Sequence, residues 1–178
     1  MFISIGAGVT LDYLGKAFGD KNVKLVRVMP NTPAQVGEGM SAAWPNEFVS
    51  EEETKTTLSI LSAFGKAEII PENLFDVVTG ISGSGPAYVF LFIEALADAA
   101  VVGGMPRRQA YEFAAQTVYG AAKMVMETGK HPGELKDMVC SPAGTTIAAV
   151  RTLEANNFRS AVIEGANAAT EKSAAMRG

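Results

Sequence analysis

One cysteine, one histidine and one tryptophan are all that this chain of 178 residues holds of those types, and each scarcity argues against a class of function. The lone Cys140 cannot close an internal disulfide, and no stretch resembles a secretory leader, so the expected compartment is a reducing cytoplasm. His131, followed directly by Pro132, has no companion for a Ser-His-Asp triad or a histidine metal site, and no metal is expected. No histidine neighbours Cys140, so the thiol reads as inert. Basic residues are also scarce: 15 Lys and Arg stand against 19 Asp and Glu, for a net charge of −4. Arg107-Arg108 is the only basic doublet and reads as the first turn of an exposed helix. Without a clustered basic face, nucleic acid is not an expected partner. The most apolar stretch, "AYVFLFIEALADAAVV", is interrupted by Glu94 and Asp98 and reads as a buried helix, with no membrane expected.

What is present is ordinary for a globular protein: 48% of residues are apolar and 19% charged, enough for one domain or two small ones. Before residue 71, short β-rich runs ("FISIGA", "KLVRVM", "GMSAAW", "KAEII") alternate with helical ones ("TLDYLGKAF" and 51–64). That alternation predicts βαβ units and a largely parallel sheet. Ser50 and Glu53 have the spacing of a capping box, and Gly65 is read as the stop of the 51–64 helix.

After residue 71 the strand signals vanish. Helices are predicted over 72–78, Pro86–Val102, Pro106–Glu127, Pro132–Val139, 143–155 and 158–176, several with a proline in the first turn. The expected organisation is therefore α/β over 1–71 followed by an all-helical domain over 72–178. Runs such as "AAQTVYGAAKM" put small residues where large ones would bury more area. A bundle built this way is marginal alone, so a second copy of the chain is the expected partner.

Three polar stretches have both a structural and a functional reading. "GISGSGPAY" (Gly80–Tyr88) is either a flexible connector or a backbone surface that lets a ligand approach. "MPNTP" (Met29–Pro33) follows a strand, and its prolines stiffen Asn31-Thr32; it is a turn, or part of a site beyond a strand end. "SPAGTTIAAVRTLE" begins with Ser141 and Pro142, which look like a helix start. It is either an ordinary capped helix or an anion site made by exposed amides with Thr145 and Thr146. The opening "IGAGVT" is not a dinucleotide fingerprint. Gly6 and Gly8 fit its first two slots, but Leu11 fills the third, and no acidic residue ends the next strand. No side-chain acid, base or nucleophile stands out, which a bound cofactor would explain.

With these residues in view, the chain resembles the pyrroline-5-carboxylate reductase family along nearly its whole length. "HPGELKDMVCSPAGTTIAAVRTLE" is similar to the family's signature, and "VMPNTP", "VTGISGSGPAY" and "GMPRR" occur in the family's order. The resemblance implies hydride transfer from NADPH or NADH to a cyclic imine, pyrroline-5-carboxylate, giving proline in the last step of proline biosynthesis. It implies that Ser141, Gly144, Thr145 and Thr146 hold the substrate carboxylate, with Thr146 also reaching the ring nitrogen as the catalytic residue. It places Ala7, Gly8, Asn31, Gly85 and Pro86 on the nicotinamide side of the cofactor. It also implies a homodimer through the helical domain, sometimes assembled further.

One departure stands out. The family has a complete G-x-G-x-x-G turn well ahead of the strand that "FISIGA" resembles, and that region has no counterpart here. The expectation is a piece with a dimer interface and substrate pocket but without pyrophosphate and ribose grips, and with little reductase activity alone. The alternatives are a dehydrogenase of the β-hydroxyacid type and a non-catalytic dimerisation module.

Overall fold

The computed structural model describes residues 1–19 and 22–177. By compactness it divides into two units, Met1–Pro86 with Ile163–Gly178, and Ala87–Val162.

The first unit contains a four-stranded sheet in the order β1 (Phe2–Ser4), β2 (Leu25–Met29), β3 (Gly39–Pro45), β4 (Gly65–Ile69). β1 pairs parallel with β2, and β3 parallel with β4, each pair bridged by a helix: α1 (Leu11–Phe18) and α2 (Glu51–Ser62). The two pairs meet antiparallel, Val28 opposite Ala43. The sheet read as largely parallel thus has two parallel pairings and one antiparallel pairing. The Pro30–Glu38 link holds only a 3-10 turn, Thr32–Val36, and is too short for the helical crossover that a parallel neighbour needs.

Local signals hold both helices. Thr10 caps α1, its hydroxyl accepting from the Tyr13 amide at 3.2 Å. The capping box of α2 is complete: Ser50 Oγ accepts from the Glu53 amide at 3.2 Å, and the Glu53 carboxylate accepts from the Ser50 amide at 2.9 Å. Lys24 also holds that carboxylate, at 2.7 and 2.8 Å, and chiefly this contact draws Glu53 down to a pKa of about 2. Gly65 is not the stop of α2. The helix closes at Ala63, and Gly65 opens β4 at φ 142° against the backbone of Gly39, a conformation only glycine adopts readily.

β2 is covered on both faces, with residues 25–28 all buried. Val26 and Val28 pack with Ala43, Leu58 and Leu61 on the α2 side. On the opposite face Arg27 pairs with Glu72 at 3.0 Å and lies over the Phe75 ring, 4.6 Å from its centre. Glu72 Oε1 also accepts from the Leu11 amide at 2.8 Å, so one carboxylate satisfies a buried cation and the first turn of α1.

Beyond β4, a 3-10 turn (Glu72–Leu74), α3 (Phe75–Val78) and a π-helical turn (Thr79–Gly83) lead into α4 (Gly85–Val102). The glycine-rich stretch is therefore helical, not a flexible connector. Its Gly80 is required by packing: a Cβ there would lie 2.2 Å from Thr170 Oγ1 and 2.7 Å from the Ala166 carbonyl oxygen, both on α8 (Phe158–Ala175).

The second unit is built from α4, α5 (Arg107–Thr128), α6 (Pro132–Val139), α7 (Thr145–Ala155) and the start of α8. Its buried core is made of alanines, Ala97, Ala110 and Ala114, with Ile93, Leu96 and Met105 around them. Arg107 does open an exposed helix, pairing with Asp98. His131 Nδ1 accepts from the Gly133 amide at 3.0 Å and so caps α6. α4 is not the buried helix its composition suggested. Ala97 is its only buried residue, while Phe90 and Leu91 are 62% and 68% exposed. The continuous helical run Glu72–Val102 is long and apolar enough, by length and composition, to cross a membrane.

Candidate functional site

In the first unit the chain leaves β1 through Gly6, Ala7 and Gly8. The Gly6 amide donates to Ser4 Oγ at 3.4 Å, and the Val9 amide donates to the Gly6 carbonyl at 3.4 Å. Gly8 is left-handed (φ 74°), and a Cβ on it would lie 3.0 Å from the main-chain oxygen of Met176.

Asn31 follows β2 and caps no helix with its side chain. Its Oδ1 accepts from the Met40 amide at 2.9 Å, and its Nδ2 donates to the Ser82 carbonyl and hydroxyl oxygens at 3.2 and 3.3 Å. It thus joins the end of β2, the start of β3 and the π-helical turn. That turn continues into Gly85 and Pro86, the first residues of α4, and the space where a Gly85 Cβ would sit is open. Ser82 and Met40 were not singled out in the sequence. Ser82 lies within the glycine-rich stretch, but nothing local marks it as a partner of Asn31, 51 residues away, or marks Met40, whose main-chain amide is recruited from nine residues away.

In the second unit, Ser141-Pro142 is not the helix start it resembles. The Gly144 amide donates to the Ser141 carbonyl at 3.0 Å, closing a tight turn, and α7 begins at Thr145 with Gly144 as N-cap. Ala143, at the turn's corner, has φ 57°. A Cβ on Gly144 would lie 2.2 Å from Ser141 Oγ and 3.1 Å from the Ser141 carbonyl oxygen, so a side chain there would require Ser141 to rotate away. No side chain caps α7. The positive end of an eleven-residue helix, with Thr145 and Thr146 as its first two residues, is thus supplied with amide donors and hydroxyls but no protein acceptor from a cap. Thr146 is half-buried and Thr145 exposed. The structure therefore brings Ser141, Gly144, Thr145 and Thr146 together in one turn, as their spacing predicts.

Ala7, Gly8, Asn31, Gly85 and Pro86 all lie in the first unit, on the segments just described. A cavity of about 860 Å³ in that unit is lined by Leu11, Lys16, Trp44, Asn46 and Glu72, among others. None of the expected site residues lines it. Among the described residues, no group of three or more His, Cys, Asp and Glu converges as a metal site would require.

Comparison with known proteins gives these segments a family. Residues 72–176 match the family model described as pyrroline-5-carboxylate reductase dimerisation. The chain is 60% identical to the pyrroline-5-carboxylate reductase of Escherichia coli over 173 residues, covering 97% of this chain and 64% of that protein. The Synechocystis reductase is 51% identical over the same shares. The chain thus spans just under two thirds of the length of these relatives. Among solved structures, the Plasmodium falciparum pyrroline carboxylate reductase with NADP bound superposes with a TM-score of 0.92 at 39% identity, covering 100% of this chain and 71% of that one. The Coxiella burnetii pyrroline-5-carboxylate reductase gives 0.94 at 37% identity, covering 99% and 65%. These matches set aside the β-hydroxyacid dehydrogenase alternative.

Proposed function

The chain belongs to the pyrroline-5-carboxylate reductase family, and from that membership we propose that it contributes to the reduction of 1-pyrroline-5-carboxylate to L-proline by NADPH or NADH, the last step of proline biosynthesis. The observation that carries this reading is the uncapped start of α7. Glycine at its N-cap, the tight Ser141–Gly144 turn and two leading threonines offer main-chain donors to a small carboxylate, with no side chain competing for them.

In this reading the Ser141–Thr146 turn fixes the substrate carboxylate, and the Thr146 hydroxyl hydrogen-bonds at the ring nitrogen. Holding the acid at one end of the ring restricts the imine carbon to one position and one face, and such positioning lowers the barrier without a strong general acid. When bound, the nicotinamide cofactor supplies the hydride. Ala7, Gly8, Asn31, Gly85 and Pro86 are the residues assigned to its side of the reaction. The open space at Gly85 suits a flat ring, and the fixed Asn31 amide keeps three segments in register.

The functional division proposed is a nucleotide-side domain over 1–71 and a dimerisation and substrate domain over 72–178. A second copy of the chain is the proposed cover for the exposed side chains of the helical unit, among them Phe90, Leu91 and Phe113, and dimers could associate further. α4 carries Glu94 and Asp98, the latter paired with Arg107, which suits a protein partner better than lipid. No nucleic-acid role is proposed for a chain of net charge −4, and the proposed compartment is the cytoplasm.

The test is titration of the chain with L-proline by calorimetry. Saturable binding is expected, weakened about tenfold by Thr146→Val, a loss of about 1.4 kcal/mol, with unchanged circular dichroism. Equal affinity in the variant would remove Thr146 from the site, and absence of binding in the unmodified chain would remove the pocket.

A further inference from the structure

Asp76, on α3, is a buried carboxylate, 5% exposed. A charge so placed needs donors on both oxygens. Its Oδ1 accepts from Ser173 Oγ at 2.8 Å, and its Oδ2 is paired with the Arg177 guanidinium. Both donors come from the far end of the chain, Ser173 on the last turn of α8 and Arg177 just beyond it.

Between them lies Met176, whose main-chain oxygen packs against Gly8 where a side chain would otherwise stand. The same helix passes Gly80 in contact through Thr170 and Ala166. The middle of α8 therefore touches the segment that leads to Gly85, and its end, where Asp76 holds Ser173 and Arg177, touches the Gly6–Val9 turn. The turn itself has weak internal support, two hydrogen bonds of 3.4 Å, at the long limit for such bonds.

We propose that the end of α8 and the two residues after it, Ser173 through Arg177, form a clasp, anchored by Asp76, that sets the conformation of the Gly6–Val9 turn, with Asp76 and Arg177 as positioning residues for the cofactor side of the reaction. The consequence for the reaction rests on the reading of Ala7 and Gly8 given above; the clasp itself rests only on the contacts. It follows that loosening the clasp frees the turn before it disturbs the sheet, because β2 and β3 are held by ladder pairing and by their own core.

Amide hydrogen exchange on the chain tests this. In a variant ending at Ala175, exchange in the segment 5–10 is expected to rise at least tenfold, while β2 and β3 keep their protection. Asp76→Asn, which retains an acceptor for Ser173 but loses the ion pair, is expected to fall between. Arg177→Lys, which keeps the cation, is expected to stay within twofold of the unmodified chain. Unchanged exchange in segment 5–10 of the shortened chain overturns the proposal, as does an equal rise in β2 and β3, which would make the helix end ordinary core. Exchange needs no ligand, so a failure to bind L-proline would remove the functional reading and leave this result standing.

Discussion

The Asn31 side chain donates to the Ser82 carbonyl oxygen at 3.2 Å across 51 residues of chain, and its own oxygen receives the Met40 amide at 2.9 Å. One primary amide thus satisfies backbone groups on two segments. Asn31→Ala leaves the Met40 amide and the Ser82 carbonyl without that partner, and a cost of about 1–3 kcal/mol is expected. Urea unfolding measures it, and a change below about 0.5 kcal/mol, the level of an ordinary surface substitution, would show that water replaces the amide freely.

Gly80 is fixed by what α8 leaves no room for. Gly80→Ala drives a methyl group into Thr170 Oγ1 and the Ala166 carbonyl, and overpacking of this kind costs about 1–3 kcal/mol. Adding Thr170→Ala removes the side-chain clash but not the main-chain one, so the double variant is expected to recover only part of the loss. Full recovery in thermal melts would mean that the Ala166 contact relaxes without cost.

Ala143 carries a left-handed backbone, φ 57°, which a Cβ disfavours by about 1–2 kcal/mol. Glycine removes that strain but adds about 0.5–1 kcal/mol of unfolded-state entropy. Ala143→Gly is therefore expected to leave stability unchanged or raise it by up to about 1.5 kcal/mol on these two figures. A clear loss of stability would show that the Ala143 methyl makes contacts outweighing its strain.

Glu53 gives the fold an acid dependence. Lys24 and the Ser50 amide hold its carboxyl at a pKa of about 2, below the ordinary 4.5. Between those values the unfolded chain takes up a proton that the folded chain refuses. The stabilisation is therefore complete above pH 4.5 and is lost as the pH falls toward 2. Glu53→Gln can keep the capping geometry but not the charge. Its deficit against the parent should be present at neutral pH and shrink steadily below pH 4.5 in denaturant titrations; a deficit constant down to pH 2.5 would assign the effect to packing instead.

Much of this was legible locally. Ser50 and Glu53 stand three apart and form the cap their spacing predicts, and the strand and helix alternation before residue 71 appears as two parallel pairs joined by helices. The Gly144-Thr145-Thr146 cluster was legible too, because consecutive residues at a helix start cannot separate. The reversed direction of β3 could have been read from the short Pro30–Glu38 link. The exposure of α4 could not, since an apolar helix has the same composition whether its cover comes from its own chain or another. The partners of Asn31, Gly8 and Asp76 were hidden for a different reason. Each is set by where a distant segment crosses, and sequence spacing carries no record of that.

The alanine core of the helical unit has its own consequence. Ala97, Ala110 and Ala114 bring α4 and α5 together by being small, so the spacing between those helices is set by steric exclusion rather than by interlocking bulk. Selection at these three positions should therefore return Ala, Gly and Ser almost exclusively, whereas outward positions such as Leu91 and Phe113 can drift in concert with whatever surface they meet. The inward side of the helix pair is a fixed gauge, and its outward side is the adjustable part on which recognition can evolve.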